Sequence, residues 1–415
     1  MNGCEARCML IISHVKVPDG DGWGERDVLI DRGRYKRICR PGSAVPPPGS
    51  ETLEGEGMYL VPGAVDPHVH VREPGYHYKE DWETCSKAAL KGGVCAIFDM
   101  PNNKDPVVEY AQLVNKKRIA LEKSLVNFGL YVALTDDNID AVEEEKVQGV
   151  VSGVKVYLAK TTGGLLVRSD RALLDVFGQP KAVLVHTGGS EGLDRVLFYY
   201  GKAKRKYPSI PVLYICHVST SEEVALIERG KREFHDLYAE ATPHHLFLHR
   251  KNYTDYGSVL PNLAGPEDAK LLRQAVERGV IDIMGTDHAP HTVEEKSSEE
   301  PPSGFPGLET ALPLLFTSYL DGSLSLGSFV RFTSSRARLL FRMGGAAVEE
   351  TNAADCVLLE TGDFRIGADG YETKCRWSPF HGRKVKARVA ATVMNGRIAY
   401  RPGSFSKTET RLITA

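Results

Sequence analysis

Residues 60–75 read LVPGAVDPHVHVREPG, and we take the rest of the chain to be organised around this stretch. The stretch begins as an apolar run and ends with His68 and His70, followed by Arg72. Alternate residues of a strand point to the same face, so this spacing places two imidazoles side by side with a guanidinium beyond them. Paired imidazoles at a strand end make half of a zinc-type site. Because an isolated His-x-His also occurs on protein surfaces, the rest of the chain has to decide between these interpretations.

The middle of the chain repeats this pattern. Short apolar, β-branched runs end in polar residues, and a helix-like segment usually follows, as in residues 79–91, 107–123, 221–229 and 266–278. The runs end at or next to His70, Asn102, Asp136, Lys155, His186, His217, His244 and Asp287. Continuous apolarity is typical of parallel strands that are buried on both faces. Eight such strands with crossover helices predict a (β/α)8 barrel of the TIM type, whose active site lies at the carboxyl ends of the strands. Residues 161–166, after Lys155, are predicted as a loop.

Both ends of the chain carry short β-like runs. These runs cover residues 9–17, 27–30 and 35–38 near the start, and 355–359, 385–391 and 393–400 near the end. Asn395-Gly396 interrupts the last of them as a strong hairpin turn. Neither end is large enough to fold comfortably alone. We therefore predict that residues 1–58 and 345–415 together form a small β-sandwich domain, and that residues 59–344 form the barrel.

Composition limits the possible partners. The chain has 415 residues, 42% of them hydrophobic and 26% charged, as is typical of a soluble globular protein. A formal net charge of -2 gives no polyelectrolyte signal, so we expect neither nucleic acid nor an anionic membrane as a partner. The N-terminal apolar run is too short for a signal peptide or a membrane span, which predicts a cytoplasmic protein. Eight scattered cysteines without a C-x-x-C pair predict reduced thiols, rather than disulfides or a metal site at Cys4 and Cys8.

The candidate chemistry lies at the predicted strand ends. One histidine there is usually structural, whereas four histidines and a carboxylate at one barrel mouth indicate a metal centre. Lys155 lies in the apolar strand GVKVYL, where a charged ammonium is costly to bury. Its amine could pair with a carboxylate. Alternatively, burial favours the neutral amine, which can take up carbon dioxide and become a carbamate that bridges two metal ions.

Together these motifs resemble the amidohydrolase superfamily and, within it, the dihydroorotase family, especially its long bacterial, archaeal and multifunctional-enzyme branch. The resemblance rests on HVHVREPG, FDMPNN, GVKVYL, CHVS, TPHHLFL, TDHAPH and PPSGFPGLET, and it covers most of residues 59–344. It implies two zinc ions, with His68, His70 and Asp287 on one, His186 and His217 on the other, and carboxylated Lys155 bridging them. It further implies reversible cyclisation of N-carbamoyl-L-aspartate to L-dihydroorotate in pyrimidine synthesis. A homo-oligomer, or association with another enzyme of that pathway, would fit this family.

The resemblance also implies roles around the metals. Asp287 would accept a proton from a metal-activated hydroxide and return it to the leaving ring nitrogen. Arg72, Asn102, His291 and Gly304 would bind the substrate, with Arg72 forming a two-pronged bond to a carboxylate.

Three stretches depart from the family pattern. After His186 the chain reads Thr-Gly-Gly where the family usually has Ala-Glu, and Leu260 and Ala264 stand where it usually offers Asn and Arg. These two departures predict weaker substrate binding. The third, EEKSSEE at residues 294–300, is predicted to be a charged, mobile loop. Asp66 shares strand parity with His68 and is expected either to orient a metal ligand or to cap a turn.

Two other functions have to be weighed. An allantoinase or a hydantoinase would share the metal ligands, but a hydantoin without a carboxylate gives Arg72 no partner. A catalytically silent barrel that serves as a structural partner would usually lack one or more ligands, whereas all six are present here.

Overall fold

The structure is a computed structural model that describes residues 9–160, 164–253 and 257–414. The predictions that concern Cys4 and Cys8, and residues 161–163 of the predicted loop, lie outside these ranges.

The predicted barrel is confirmed. Its strands pair in chain order, and every neighbouring pair is parallel. The eight strands are Ala64–Val69, Val94–Asp99, Asn127–Ala133, Gly153–Tyr157, Ala182–His186, Leu213–Ile215, Leu237–Ala241 and Ile283–Met284. Strand one meets the segment after strand eight, where Val69 bridges His288 and the His70 backbone N–H donates to the His288 carbonyl at 2.8 Å. The barrel is therefore nearly closed.

The helices surround these strands. The α-helices are Trp82–Lys91, Tyr110–Lys123, Ile139–Glu143, Glu145–Gln148, Asp170–Asp175, Ser190–Lys206, Ser221–Glu233, Pro243–Phe247, Pro266–Glu277, Val293–Lys296, Ala311–Leu320, Leu326–Val330 and Arg336–Leu340. A 3-10 turn covers Val176–Gly178, and a π-helical turn covers Arg331–Ser335. The helix predicted over 79–91 starts later than expected because Asp81 and Thr84 form a capping box in front of Trp82.

The two ends of the chain meet in one β domain, as predicted. Its strands form a single nine-stranded sheet: Leu10–Asp19, Gly22–Asp31, Arg34–Cys39, Glu51–Glu54, Tyr59–Pro62, Cys356–Arg365, Lys384–Met394, Arg397–Arg401 and Ser404–Phe405. The two ends join where Tyr59–Pro62 pairs antiparallel with Cys356–Arg365. Asn395 and Gly396, at φ 50° and 74°, form the hairpin turn, which requires positive φ at both positions.

Two strands pair with a part of the molecule other than the one to which the sequence analysis assigned them. Tyr59–Pro62 pairs within the β domain, and the final strand, Leu412–Ile413, returns to pair with barrel strand three. Because these two strands link the β domain to the barrel, the domain boundaries at residues 58 and 344 stay a prediction.

Large side chains pack together inside the barrel. Val65, Phe98, Tyr131 and Tyr214 belong to one buried cluster, which Phe341 joins from beyond the barrel strands. The barrel thus has a packed core, and polar side chains collect at the carboxyl ends of its strands. Within the described ranges, none of the helices is long and apolar enough to cross a bilayer.

Candidate metal centre

The six predicted metal ligands come together at the carboxyl end of the barrel. All six are buried and line one cavity of about 380 Å³. They are His68, His70, Lys155, His186, His217 and Asp287. Of the four residues predicted to bind substrate, Arg72, Asn102 and Gly304 also line this cavity, whereas His291 does not.

The first group of ligands joins strands one and eight. His70 Nε2 lies 2.9 Å from Asp287 Oδ1, and His68 Nε2 lies 3.3 Å from the same oxygen. One ligand atom from each of these residues falls within 4.8 Å of the other two. Two imidazoles and a carboxylate at this spacing can hold one divalent cation.

The second group lies next to it. His186 Nδ1 is 2.9 Å from His217 Nε2, and the His217 ring centroid is 5.3 Å from that of His68. Lys155 Nζ lies 2.8 Å from Cys216 Sγ. Among the described residues, no carboxylate lies within ion-pair distance of Lys155, although a buried lysine usually has such a partner.

Three of the four histidines are neutral. Burial lowers the pKa of His70 to about 4 against the opposing pull of Asp287. Burial, together with the charge of Lys155, lowers the pKa of His186 to about 3. Burial and the neighbouring His186 also hold the pKa of His217 well below its usual value. A neutral imidazole is the form that ligates a metal.

His68 and Asp287 form a charged pair instead. Burial would lower the pKa of His68, but Glu240 and Asp287 raise it to about 10. Burial would raise the pKa of Asp287, but His68 and His70 hold it well below its usual value. A cation bound here must displace the proton of His68, so binding releases a proton.

Glu240 is a site residue that sequence reasoning missed. It is buried in strand seven, and its carboxylate lies 2.9 Å from His68 Nδ1. It also accepts hydrogen bonds from the His217 backbone N–H at 2.9 Å and the Tyr214 hydroxyl at 2.6 Å. Such a carboxylate fixes the orientation of a metal-binding imidazole. The available signal was one acidic residue inside the apolar run LYAEA.

Asp66 does not hold the ring of His68. Its Oδ1 accepts the backbone N–H groups of His68 and Thr286, both at 3.0 Å, and Oδ2 accepts the Thr286 hydroxyl. Asp66 therefore ties strand one to strand eight. His68 also belongs to a second group of metal-ligand type, with Cys216 and Glu240, so its ring stands between two such groups.

Three site residues have left-handed backbones. Arg72, His217 and Asp287 have φ values of 70°, 35° and 47°. Such a conformation costs roughly 1–3 kcal/mol for a residue other than glycine, and it persists only where the surrounding structure imposes it. These residues follow strands one, six and eight, where the chain leaves the barrel.

Comparison with known proteins identifies the family. No family model matches the chain. A dihydroorotase of Thermus aquaticus is 31% identical to it and covers 94% of this chain and 99% of its own length. A dihydroorotase of Methanothermobacter thermautotrophicus is 32% identical and covers 94% of both chains. The chain belongs to the dihydroorotase family.

A larger relative also matches most of the chain, and two solved structures share its fold. The multifunctional protein CAD of Squalus acanthias is 32% identical over 85% of the chain, but the chain spans only 15% of that protein. The structure of the L-hydantoinase (dihydropyrimidinase) from Arthrobacter aurescens superposes with a TM-score of 0.89 at 23% identity and covers 98% of this chain and 99% of its own. The dihydropyrimidinase from Brevibacillus agri gives 0.85 at 21% identity, with 98% of each chain covered. At these identities the hydantoinases establish the fold alone.

In this member of the dihydroorotase family, Arg72 is a buried cation at the cavity wall. Its Nε donates to the Pro290 carbonyl at 3.2 Å, and its Nη2 lies 3.0 Å from His291 Nε2. Within the described part of the chain, it has no carboxylate at ion-pair distance. A buried guanidinium without a counter-charge is suited to an anionic ligand.

His291 lies behind Arg72. Its Nδ1 is 3.0 Å from Lys79 Nζ, and its Nε2 is 3.1 Å from the Ser303 carbonyl. Burial and the nearby cations Arg72, Lys79 and Lys296 lower its pKa to about 2, so the ring is neutral. Since it contacts Arg72 and does not line the cavity, the structure places it where it can position the guanidinium.

Asn102 and Gly304 border the cavity in different ways. His70 Nδ1 lies 2.7 Å from Asn102 Oδ1, which can accept its proton and thereby orient Nε2 toward Asp287 and the candidate metal site. Gly304 has φ 139°, and a Cβ atom there would lie 2.6 Å from the Ala289 carbonyl oxygen. Only glycine fits this position without a shift of the backbone.

The family departures have different structural outcomes. Leu260 lines the cavity and is 44% exposed, whereas Asn262 is exposed and does not line it. The prediction of a mobile loop at 294–300 is wrong for its first residues. Val293–Lys296 is a helical turn with a capping box at Thr292, and Lys296 is buried.

Proposed function

We propose that the chain is a dihydroorotase that interconverts N-carbamoyl-L-aspartate and L-dihydroorotate. The observation that carries this proposal is Arg72, a buried guanidinium that has no carboxylate partner among the described residues and shares one cavity with the candidate metal ligands. Dihydroorotate presents a carboxylate beside the cyclic amide bond, so one molecule can satisfy both. The dihydroorotase relatives that match almost the whole chain support the same activity.

We propose two zinc ions in this cavity. His68, His70 and Asp287 would hold one, His186 and His217 the other, and Lys155 would bridge them as a carbamate. The neutral imidazoles fit this arrangement, and so does Lys155, which has no carboxylate partner among the described residues. Bound zinc would supply an activated water and polarise the amide carbonyl.

Residues of the chain would transfer the proton, bind the substrate carboxylate and orient a metal ligand. Asp287 is ionised and can accept the proton that the attacking water loses, then return it to the ring nitrogen as the amide bond breaks. Arg72 would fix the substrate carboxylate with two parallel hydrogen bonds. Glu240 would keep the His68 ring in place through Nδ1.

A substrate comparison tests the activity. The chain, purified with zinc and bicarbonate, should hydrolyse dihydroorotate and leave allantoin and 5-substituted hydantoins intact. Chelation should abolish turnover, and added zinc should restore it. Faster turnover of a hydantoin would assign the chain to the hydantoinase type. A metal-loaded chain without turnover of any of these compounds would be a silent barrel.

The multifunctional relatives bear on partners. The curated relatives include the multifunctional proteins CAD and pyr1-3, of which the chain spans 15% each. We propose that the chain works as a homo-oligomer or in association with another enzyme of the pyrimidine pathway. Size-exclusion chromatography with light scattering, alone and with such enzymes, tests this proposal.

Arg72→Met should raise the KM for dihydroorotate strongly. Truncation of one member of a buried, charged hydrogen-bonded pair costs about 2–5 kcal/mol, which corresponds to about 30-fold or more in KM. Arg72→Lys keeps the charge without the two-pronged geometry and should fall between Arg72→Met and the parent. Steady-state kinetics on dihydroorotate measure both variants. An unchanged KM in Arg72→Met would remove Arg72 from the substrate site.

Leu260→Asn should lower KM modestly. Leu260 lines the cavity where the family usually offers an amide, and one neutral hydrogen bond is worth about 0.5–1.5 kcal/mol, or about twofold to tenfold in kcat/KM. Asn262→Ala serves as the control because Asn262 does not line the cavity, and its kinetics should match the parent. If Leu260→Asn also matches the parent, this loop does not touch the substrate.

A further inference from the structure

Lys296 is a buried cation in the segment that sequence alone predicted to be mobile. Its side chain runs inward from the last residue of the helical turn Val293–Lys296. The ammonium donates to the carbonyls of Ser258 at 3.0 Å, Pro302 at 2.8 Å and Gly304 at 3.1 Å. An ammonium has three donors, so each one has a backbone acceptor.

These carbonyls belong to two loops that form one wall of the metal-site cavity. The loop after strand seven supplies Val259 and Leu260 to the wall, and the segment after strand eight supplies Pro302, Ser303 and Gly304. One backbone hydrogen bond between the loops runs from the Gly304 N–H to the Ser258 carbonyl at 3.1 Å. Lys296 binds the carbonyl of each of these two residues and thereby cross-links the loops.

The charge of Lys296 has no carboxylate partner within the described ranges. The adjacent Glu295 is occupied by Lys79 Nζ at 2.8 Å and by the Tyr78 hydroxyl at 2.8 Å. Arg72, which acts electrostatically on Lys296, likewise has no carboxylate partner in the part of the chain that the structure describes. The Phe305 and Trp377 rings, whose centroids lie 5.1 and 6.0 Å from the ammonium, add weak cation–π attraction. A buried lysine without an anionic partner is nevertheless rare, because carbonyl dipoles and aromatic faces replace only part of its hydration.

We infer that Lys296 is a positioning residue for substrate binding, which holds the two loops in register and adds positive charge to the end of the cavity where Arg72 lies. The inference rests on the proposed function, since an anionic substrate supplies the missing counter-charge. If Lys296 only held the two loops together, its hydrogen-bond donors would be needed but its positive charge would not. Methionine removes both properties, whereas glutamine removes the charge and keeps two donors.

Three variants test the inference: Lys296→Met, Lys296→Gln and the control Lys270→Met, which changes an exposed lysine on the helix Pro266–Glu277. Lys296→Met should raise the KM for dihydroorotate about tenfold or more with little change in kcat, because a hydrogen-bonded charge is lost. Lys296→Gln should raise KM by less, and Lys270→Met should match the parent. Hydrogen exchange of peptides that contain Ser258 and Gly304 should be faster in Lys296→Met and close to the parent in Lys296→Gln.

The outcomes separate this inference from the proposed function. A KM in both Lys296 variants equal to that of Lys270→Met overturns the inference, whatever the exchange shows. If the parent itself fails to turn over dihydroorotate, the proposed function is wrong. In that case exchange alone decides, and an unchanged rate at Gly304 in Lys296→Met removes the loop cross-link. Should Lys296→Met fail to fold, the kinetics of Lys296→Gln give the answer.

Discussion

Lys155→Ala is expected to lose bound metal and activity together. Lys155 lies among the ligands, is buried, and has Cys216 Sγ at 2.8 Å in place of a carboxylate. If its carbamate bridges the two ions, its removal takes one ligand from each. Loss of a residue that merely supports a ligand already costs about 10–100-fold in metal affinity or activity, so the loss of the bridging ligand should exceed about 100-fold.

Metal analysis beside kinetics tests this expectation. The parent should hold about two divalent ions per chain, as the two groups of ligands imply. A short carboxylic acid such as propionate should restore part of the activity of Lys155→Ala, because its carboxylate can occupy the vacated space. The exposed Lys270→Ala provides the control and should neither lose metal nor respond to propionate. Full activity of Lys155→Ala without an added acid would contradict the bridging role.

Asp287→Asn is expected to be inactive. The variant keeps an oxygen that can face the metal site, but it cannot accept a proton from the attacking water. Proton transfer by a positioned side chain contributes about 10²–10⁴-fold, so kcat should fall at least about 100-fold. The left-handed backbone at Asp287 favours this substitution, since asparagine tolerates that conformation and the loop should stay in place.

Metal content distinguishes the two roles of Asp287. An inactive variant that retains metal identifies Asp287 as the proton carrier, whereas one that has lost its metal shows only that the residue is a ligand. Glu240→Gln is a useful comparison because Glu240 contacts the His68 ring at Nδ1 and is not one of the six proposed ligands. It should lower metal affinity and retain some turnover. Turnover of Asp287→Asn near the parent's rate would exclude the proton role.

The barrel, and the meeting of the six candidate metal ligands at its mouth, could be predicted because both leave local signals. Strands buried on both faces read as unbroken apolar runs, and ligands at strand ends follow those runs directly, as His186 and Lys155 do. Residues that act through distant partners leave weaker signals. Glu240 gains its role from a histidine 172 positions earlier in the chain.

Lys296 shows why the composition of residues 294–300 led to the wrong prediction of a mobile loop there. EEKSSEE reads as a solvated charged segment, and the three backbone carbonyls that bury its lysine come from loops whose approach only the fold determines. His291 is similar. Its spacing after Asp287 placed it near the substrate, but only the structure puts Arg72 between it and the cavity.

The left-handed backbones of Arg72, His217 and Asp287 link catalysis to thermal tolerance. A glycine at any of these positions would relieve steric strain and raise the melting temperature wherever the lost side chain contributes less than the relief. Each such gain would remove a proposed metal ligand or the proposed anchor of the substrate carboxylate. Selection for heat resistance alone can therefore favour glycine at these positions at the expense of the site, and a screen for more stable variants must assay turnover alongside survival.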